Sequence, residues 1–150
     1  MADTKNLTGF AEMAKKLREF GPKVGRKHLR AATSKGAAVI RKKARELAPV
    51  DTGEMRKDIQ QKRVKTEGDH IASFSVYTRS GKRSRLSGKA RNVDKDSFYW
   101  KFQEFGTAKM PAQPFMRPAF ESEKENAVDE IGAELGKRIQ KEAADAAGGS

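Results

Sequence analysis

The chain has 150 residues, a formal charge of +12, 36% hydrophobic and 35% charged residues, and no cysteine. No cysteine means no disulfide framework and no thiolate metal site, and two histidines, His28 and His70, are too few for an imidazole-rich metal centre. The sequence holds no apolar run of about 18 residues that could span a membrane, and its apolar share suits one modest core, the kind that often completes its burial by oligomerising.

From the N-terminus, MADTKNLTGF lacks the charged-then-apolar layout of a signal segment, so an intracellular protein is expected. Leu7, Phe10, Ala14 and Leu17 fall at helical spacing, and Gly21-Pro22 closes that helix. After Pro22, a narrow stripe of Val24, Ala31, Ala32, Ala38, Val39, Ala44 and Leu47 predicts a long helix with a basic outer surface. Gly36 weakens its middle and is a candidate kink, and Pro49 ends it. The spacing places both histidines on the surface.

APVDTGEMRKDI, residues 48–59, reads as a turn (Pro49, Asp51, Thr52, Gly53) followed by a strand through Met55, Lys57, Ile59 and Gln61. Glu67-Gly68-Asp69 forms a hairpin turn into the strand Ile71–Thr78. Residues 79–96 have no period and read as a mobile basic loop, with Arg79, Lys82, Arg83, Arg85, Lys89 and Arg91 as candidate contacts to DNA or an acidic partner. Phe120, Ala127, Val128, Ile131, Leu135 and Ile139 describe an amphipathic C-terminal helix, acidic early and basic late, with a frayed tail from about residue 144. The resulting class is α+β: two N-terminal helices, a small antiparallel sheet with a long basic loop, and a long C-terminal helix, in a single domain over 1–150.

Charge is unevenly spread, with 13 basic and 4 acidic residues in positions 1–50 but 7 and 9 in positions 101–150. Such a gradient suits either phosphate binding through counterion release or subunits docking head to tail. Asp51 and Glu104 are the carboxylates that could suggest a hydrolase. Neither has a histidine, cysteine or second acid beside it, so a turn residue and a buried or interfacial hydrogen-bonding carboxylate are the favoured roles. No glycine loop has phosphate-cradling spacing. No cofactor, no metal and no catalytic residue is expected.

FYWKFQEFGTAKMPAQPFMRPAF, residues 98–120, holds seven of the eleven aromatics and three of the five prolines. At helical spacing Phe98, Phe102 and Phe105 share a face while Tyr99 and Trp100 point elsewhere, so part of the set is core and part meets another chain. Pro111, Pro114 and Pro118 set a stiff path for Met110, Phe115, Met116 and Arg117. The candidate subunit or partner interface is therefore Tyr99, Trp100, Phe102, Glu104, Phe105, Met110, Phe115, Met116 and Arg117.

The pair of stretches APVDTGEMRKDI and FYWKFQEFGTAKMPAQPFMRPAF resembles a phage morphogenesis family: the tail-completion or neck proteins of long-tailed bacteriophages, minor tail protein Z-like or Hong Kong ninety-seven gene-product-ten-like. The resemblance lies in Ala48–Ile59, in Tyr99, Phe102, Glu104, Phe105, Gly106 and Thr107, and in Met110–Ala112 with Pro114–Ala119. Trp100 departs from it, standing where the family often has a small residue. The resemblance implies a non-enzymatic virion protein at the head–tail junction, assembled in the host cytoplasm. It implies a ring, sixfold by match to the tail tube, around the channel for genomic DNA. Tail terminator, tail tube and head-completion or connector proteins would be its neighbours, with no membrane involved. The alternative from charge alone is a small basic DNA-binding module gripping phosphates through the helix at 23–47.

Overall fold

The computed structural model describes residues 4–49, 53–68, 71–79 and 99–148. The order is α1 (Thr4–Glu19), α2 (Pro22–Leu47), α3 (Glu54–Asp58), β1 (Ile59–Val64), β2 (Ser73–Thr78), α4 (Trp100–Phe105) and α5 (Met116–Ala147). The described architecture is α+β, mostly helical, with β1 and β2 paired in a two-stranded antiparallel sheet. Asp51, Thr52, Asp69, His70 and the loop residues Lys82, Arg83, Arg85, Lys89 and Arg91 lie outside the described residues.

Two prolines bound α2. Pro22 opens it, where a missing N–H costs nothing and a fixed φ favours the helix. It ends at Leu47, two residues before Pro49. The link from α1 turns on Gly21, whose φ of +82° suits glycine. Gly36 does not break α2: the helix runs through it, because the glycine answers a packing demand. A Cβ there would sit 2.5 Å from Ile131 Cγ1 and 2.8 Å from the Ala127 carbonyl oxygen.

The strand expected from Met55 onward starts later. Residues 54–58 form the short helix α3 behind Gly53, whose φ is +74°, and the extended backbone begins at Ile59. Met, Arg and Lys favour a helical turn, and the tertiary setting overrides the alternation of apolar side chains. Two arginines fix this corner. Arg56 donates from Nε to the Ala48 carbonyl (3.2 Å) and from Nη2 to the Glu46 carbonyl (3.4 Å), satisfying acceptors left over at the end of α2. Arg45 donates from Nε and Nη2 to the Ile59 carbonyl, at 3.0 and 2.7 Å. Burial, and then the charge of Arg41, hold the Arg45 guanidinium below the ordinary arginine range. Past the strand ends, the Arg79 amide donates to the Asp58 carbonyl at 2.8 Å.

Backbone contacts divide the chain into two units, residues 1–37, 63–74 and 125–150, and residues 38–62 and 75–124. In the first, Leu17, Ala32, Leu135 and Ile139 are buried together, with Met13, Phe20 and Ile131 packed against them. His28, expected on the surface, is only 6% exposed there, with Nε2 3.0 Å from Glu142 Oε2. Its partner stands 114 positions away, a distance no helical spacing reveals. In the second unit, Ala44, Ala48, Ile59, Phe115 and Ala119 form the core, and Met55, Val76, Trp100 and Met116 pack around it.

The expected stripe on α5 is partly corrected. Ala127, Leu135 and Ile139 are buried, but Phe120 and Val128 are exposed at 51% and 47%. The inward line is the fourfold spacing from Ala119 to Ile139, and those two side chains fall off it. Likewise Leu47 of α2 is exposed while Ala44 and Ala48 are buried. At its C-terminal end α5 continues to Ala147, and the Gly148 amide donates to the Ala144 carbonyl at 2.9 Å.

A matched pair of substitutions tests the packing at Gly36. Gly9→Ala in α1 meets nothing within 4 Å and is expected to raise stability by up to about 1 kcal/mol through helix propensity. Gly36→Ala gains the same propensity but collides with a backbone oxygen, and is expected to lower stability by about 1–3 kcal/mol net. Urea denaturation of both proteins reads the difference in sign.

Candidate functional site

The aromatic and proline-rich stretch is organised around one carboxylate. Glu104, on α4, is 7% exposed. Its Oε2 accepts the amides of Phe115 (2.8 Å) and Met116 (3.0 Å), and its Oε1 accepts the amide of Arg117 (3.1 Å). These are the first donors of α5, which have no partner within the helix. Pro118 follows and has no N–H to satisfy, and the Ala119 amide makes the first internal bond, to the Phe115 carbonyl at 3.2 Å. Every described orphan donor at the start of this 32-residue helix is therefore met by one side chain or removed by proline. The negative charge also faces the positive end of the helix dipole.

The connection between α4 and α5 is built for this contact. Gly106 has a φ of +72°, and a Cβ there would stand 2.8 Å from the Ala112 nitrogen and 3.0 Å from the Met110 oxygen, so glycine is required twice over. Its amide closes α4 onto the Phe102 carbonyl at 2.8 Å. Thr107 and Met110 pair across a tight turn, with Thr107 N to Met110 O at 2.8 Å. The Gln113 amide then bonds the Gln103 carbonyl at 2.7 Å, which lays the proline segment back along α4.

With α4 held in this way, its two faces part company. Trp100 and Glu104, one turn apart, face inward, and Trp100 packs on the core beside Ile59 and Phe115. Lys101 Nζ lies 5.9 Å from the indole ring centroid, within cation–π range. Tyr99, Phe102 and Phe105, three residues apart, face outward. Tyr99 and Phe105 are each 65% exposed and Phe102 38%, and the Tyr99 and Phe102 rings are 6.2 Å apart. Met110 at the turn and Arg117 are exposed too.

Of the nine expected interface residues, Tyr99, Phe102, Phe105, Met110 and Arg117 are exposed. Phe115 is a correction: it is fully buried in the chain's own core, where its amide is held by Glu104. Met116 and Trp100 are half-buried against that core. In the turn motif, Pro49 and Gly53 lie where the sequence puts them, after α2 and before α3. Arg79, alone of the six loop cations, is within the described residues, where it is half-buried. Arginines 26, 30 and 63, missed by the motif reading, line a hollow of about 230 Å³. Their signal was present in sequence as the one-turn spacing of Arg26 and Arg30, but their meeting with Arg63 needs the fold. Among the described residues no group of acids and histidines is arranged to hold a metal ion.

Removing the carboxylate leaves three amides without their acceptor, one buried and two part-buried. Glu104→Ala is expected to lower unfolding free energy by about 3–5 kcal/mol, and Glu104→Gln, which keeps one acceptor oxygen, by about 1–2 kcal/mol. Equilibrium denaturation, with amide exchange at 115–117 as the local readout, checks the order.

Residues 11–106 match the family described as "Bacteriophage HK97-gp10, putative tail-component". No curated protein and no solved structure matches the chain. The matched region takes in the Ala48–Ile59 turn and ends on Gly106, just past the carboxylate that starts α5. Well over half of the chain being covered, it belongs to the HK97-gp10-like family of phage tail components.

Proposed function

We propose that this chain is a structural subunit of the phage head–tail junction, closing into a ring around the DNA channel and completing the tail for attachment to the capsid. The observation that carries the reading is the outward stripe of Tyr99, Phe102 and Phe105 on a helix whose opposite face is locked by Glu104. Exposed rings on a rigid support lose little entropy on docking, and aromatics, methionine and arginine are what protein interfaces concentrate. With Met110 and Arg117 they form the contact to a neighbouring subunit. Such a contact joins two different surfaces, so it closes only when its rotation divides the circle. The tail tube's sixfold symmetry makes six the expected count.

Membership in a family of tail components supports a virion location, contacts with other tail and head-completion proteins, and a non-enzymatic role. No helix among the described residues is long and apolar enough to cross a membrane. The basic balance of the first hundred residues favours a second reading, a DNA-binding module, which predicts a steep loss of binding with salt.

Light scattering on the purified protein, at low and moderate salt and with or without a short duplex, separates the two. The ring reading predicts a discrete oligomer that persists at moderate salt without DNA. Phe105→Ala and Tyr99→Ala are expected to shift it to monomer while changing unfolding free energy by no more than about 0.5 kcal/mol, since both rings are exposed. An oligomer indifferent to both substitutions removes the aromatic stripe from the interface. A monomer that holds duplex DNA and releases it with salt favours the module.

A further inference from the structure

The hollow of about 230 Å³ beside β1 is lined by Arg26, Arg30, Arg63, Lys65, Thr66 and Ser73, with Val64 and Ala72 completing it. Its basic character comes from two pairs of cations. Arg26 and Arg30 are one helical turn apart on α2 and so share a face. Arg63 lies near the end of β1 and Lys65 one residue past it, and both line the hollow. The fold brings these two pairs to one place, and among the described residues no acid lines it.

Setting the like charges of Arg30, Arg63 and Lys65 side by side is costly. Arg30 is held below the ordinary arginine range by burial and then by the positive charges of Arg26 and Arg63. Arg26 is set in position by a bond from Nη2 to the Thr66 carbonyl at 3.2 Å. Thr66 in turn donates its hydroxyl to the Ile71 carbonyl at 3.1 Å, tying the two ends of the β1–β2 connection together. Arg26, one of the cations in the wall, is thus fastened by hydrogen bonds.

We propose that this hollow binds a phosphate group, and that its source is the backbone of duplex DNA. Guanidinium forks approaching from helix and strand suit a tetrahedral oxyanion with acceptors on more than one side. A carboxylate is planar and is satisfied by a single fork. The volume holds a compact oxyanion with some water, since a liquid water occupies about 30 Å³, and leaves no room for a folded segment of another chain. The site lies away from the aromatic stripe in sequence and does not require a ring to form.

The test uses the full-length protein labelled with ¹⁵N, following the arginine Nε–H signals. Sodium phosphate at constant ionic strength is expected to move the Arg30 and Arg63 signals saturably, where acetate and a polyglutamate peptide do not. A 20-base-pair duplex is expected to move the same signals at lower concentration. Movement by phosphate but not by the duplex supports the pocket and overturns DNA as its source. In duplex titrations, Arg30→Gln/Arg63→Gln is expected to reduce the slope of log affinity against log salt by about 2. Lys42→Gln/Lys137→Gln, with the same loss of charge at exposed positions on α2 and α5, is expected to leave the arginine shifts intact. Signals unmoved by phosphate and duplex alike, equal movement by polyglutamate, or equal weakening in both double variants overturns the proposal. Light scattering on the same samples reports assembly separately.

Discussion

Everything downstream of residue 98 depends on how the first turn of α5 is satisfied. A helix of 32 residues begins with amides that have no partner in the helix, and here the first of them belongs to a fully buried phenylalanine. A serine or aspartate at the cap would satisfy one or two of them locally. This chain uses Glu104, more than ten positions earlier, and satisfies three. The carboxylate is itself expensive to bury, and only the full set of donors with the helix dipole offsets that cost. The arrangement is all or nothing, which gives it authority over the surrounding backbone.

That authority explains why the sequence is written as it is. The distance from Glu104 to Phe115 must be closed by a segment that turns sharply and comes back. Gly106 provides the turn at a φ and a closeness no side chain tolerates, the Thr107–Met110 pair tightens it, and the Gln113–Gln103 bond returns it. Pro118 sits where an amide would have gone unpaired. Spacing among glutamate, glycine and proline across residues 104–118 is therefore one geometric device. Its by-product is that α4 cannot rotate: locking Glu104 and Trp100 inward commits Tyr99, Phe102 and Phe105 to the outside.

Much of the fold was legible because it rests on local rules. The proline at each end marked α2, the acidic-to-basic run and the apolar positions Ala127, Ile131, Leu135 and Ile139 marked α5, and alternation marked β2. The misses share a cause, which is that a partner distant in sequence decided the outcome. Met55 to Gln61 alternate like a strand, but Gly53 and the reach of Arg56 back to α2 make the first half a helical turn. His28 looked solvated because Glu142 could not be seen from α2. Phe115 looked like an anchor for a neighbour because its burial is a consequence of the Glu104 contact. For the same reason the aromatic stretch could be read as divided between core and contact, while the line of division could not be drawn.

The excess of positive charge resolves into two kinds of arginine once partners are known. Arg45 and Arg56 spend their forks on backbone carbonyls at the α2–β1 corner, where they act as caps and latches. Replacing such groups with lysine would lose the bidentate reach that spans the corner, so their charge is incidental to their task. Arg30 and Arg63 line a hollow where, among the described residues, no acid stands and no carboxylate pairs with either. In them the charge is the task. A net charge of +12 thus overstates the field available to a partner in one part of the molecule and understates its focus in another. A concave site concentrates potential far beyond what the same charges give when spread over a convex surface. It is the placement of cations beside β1, more than their number, that gives this tail component a defined place to hold an anion.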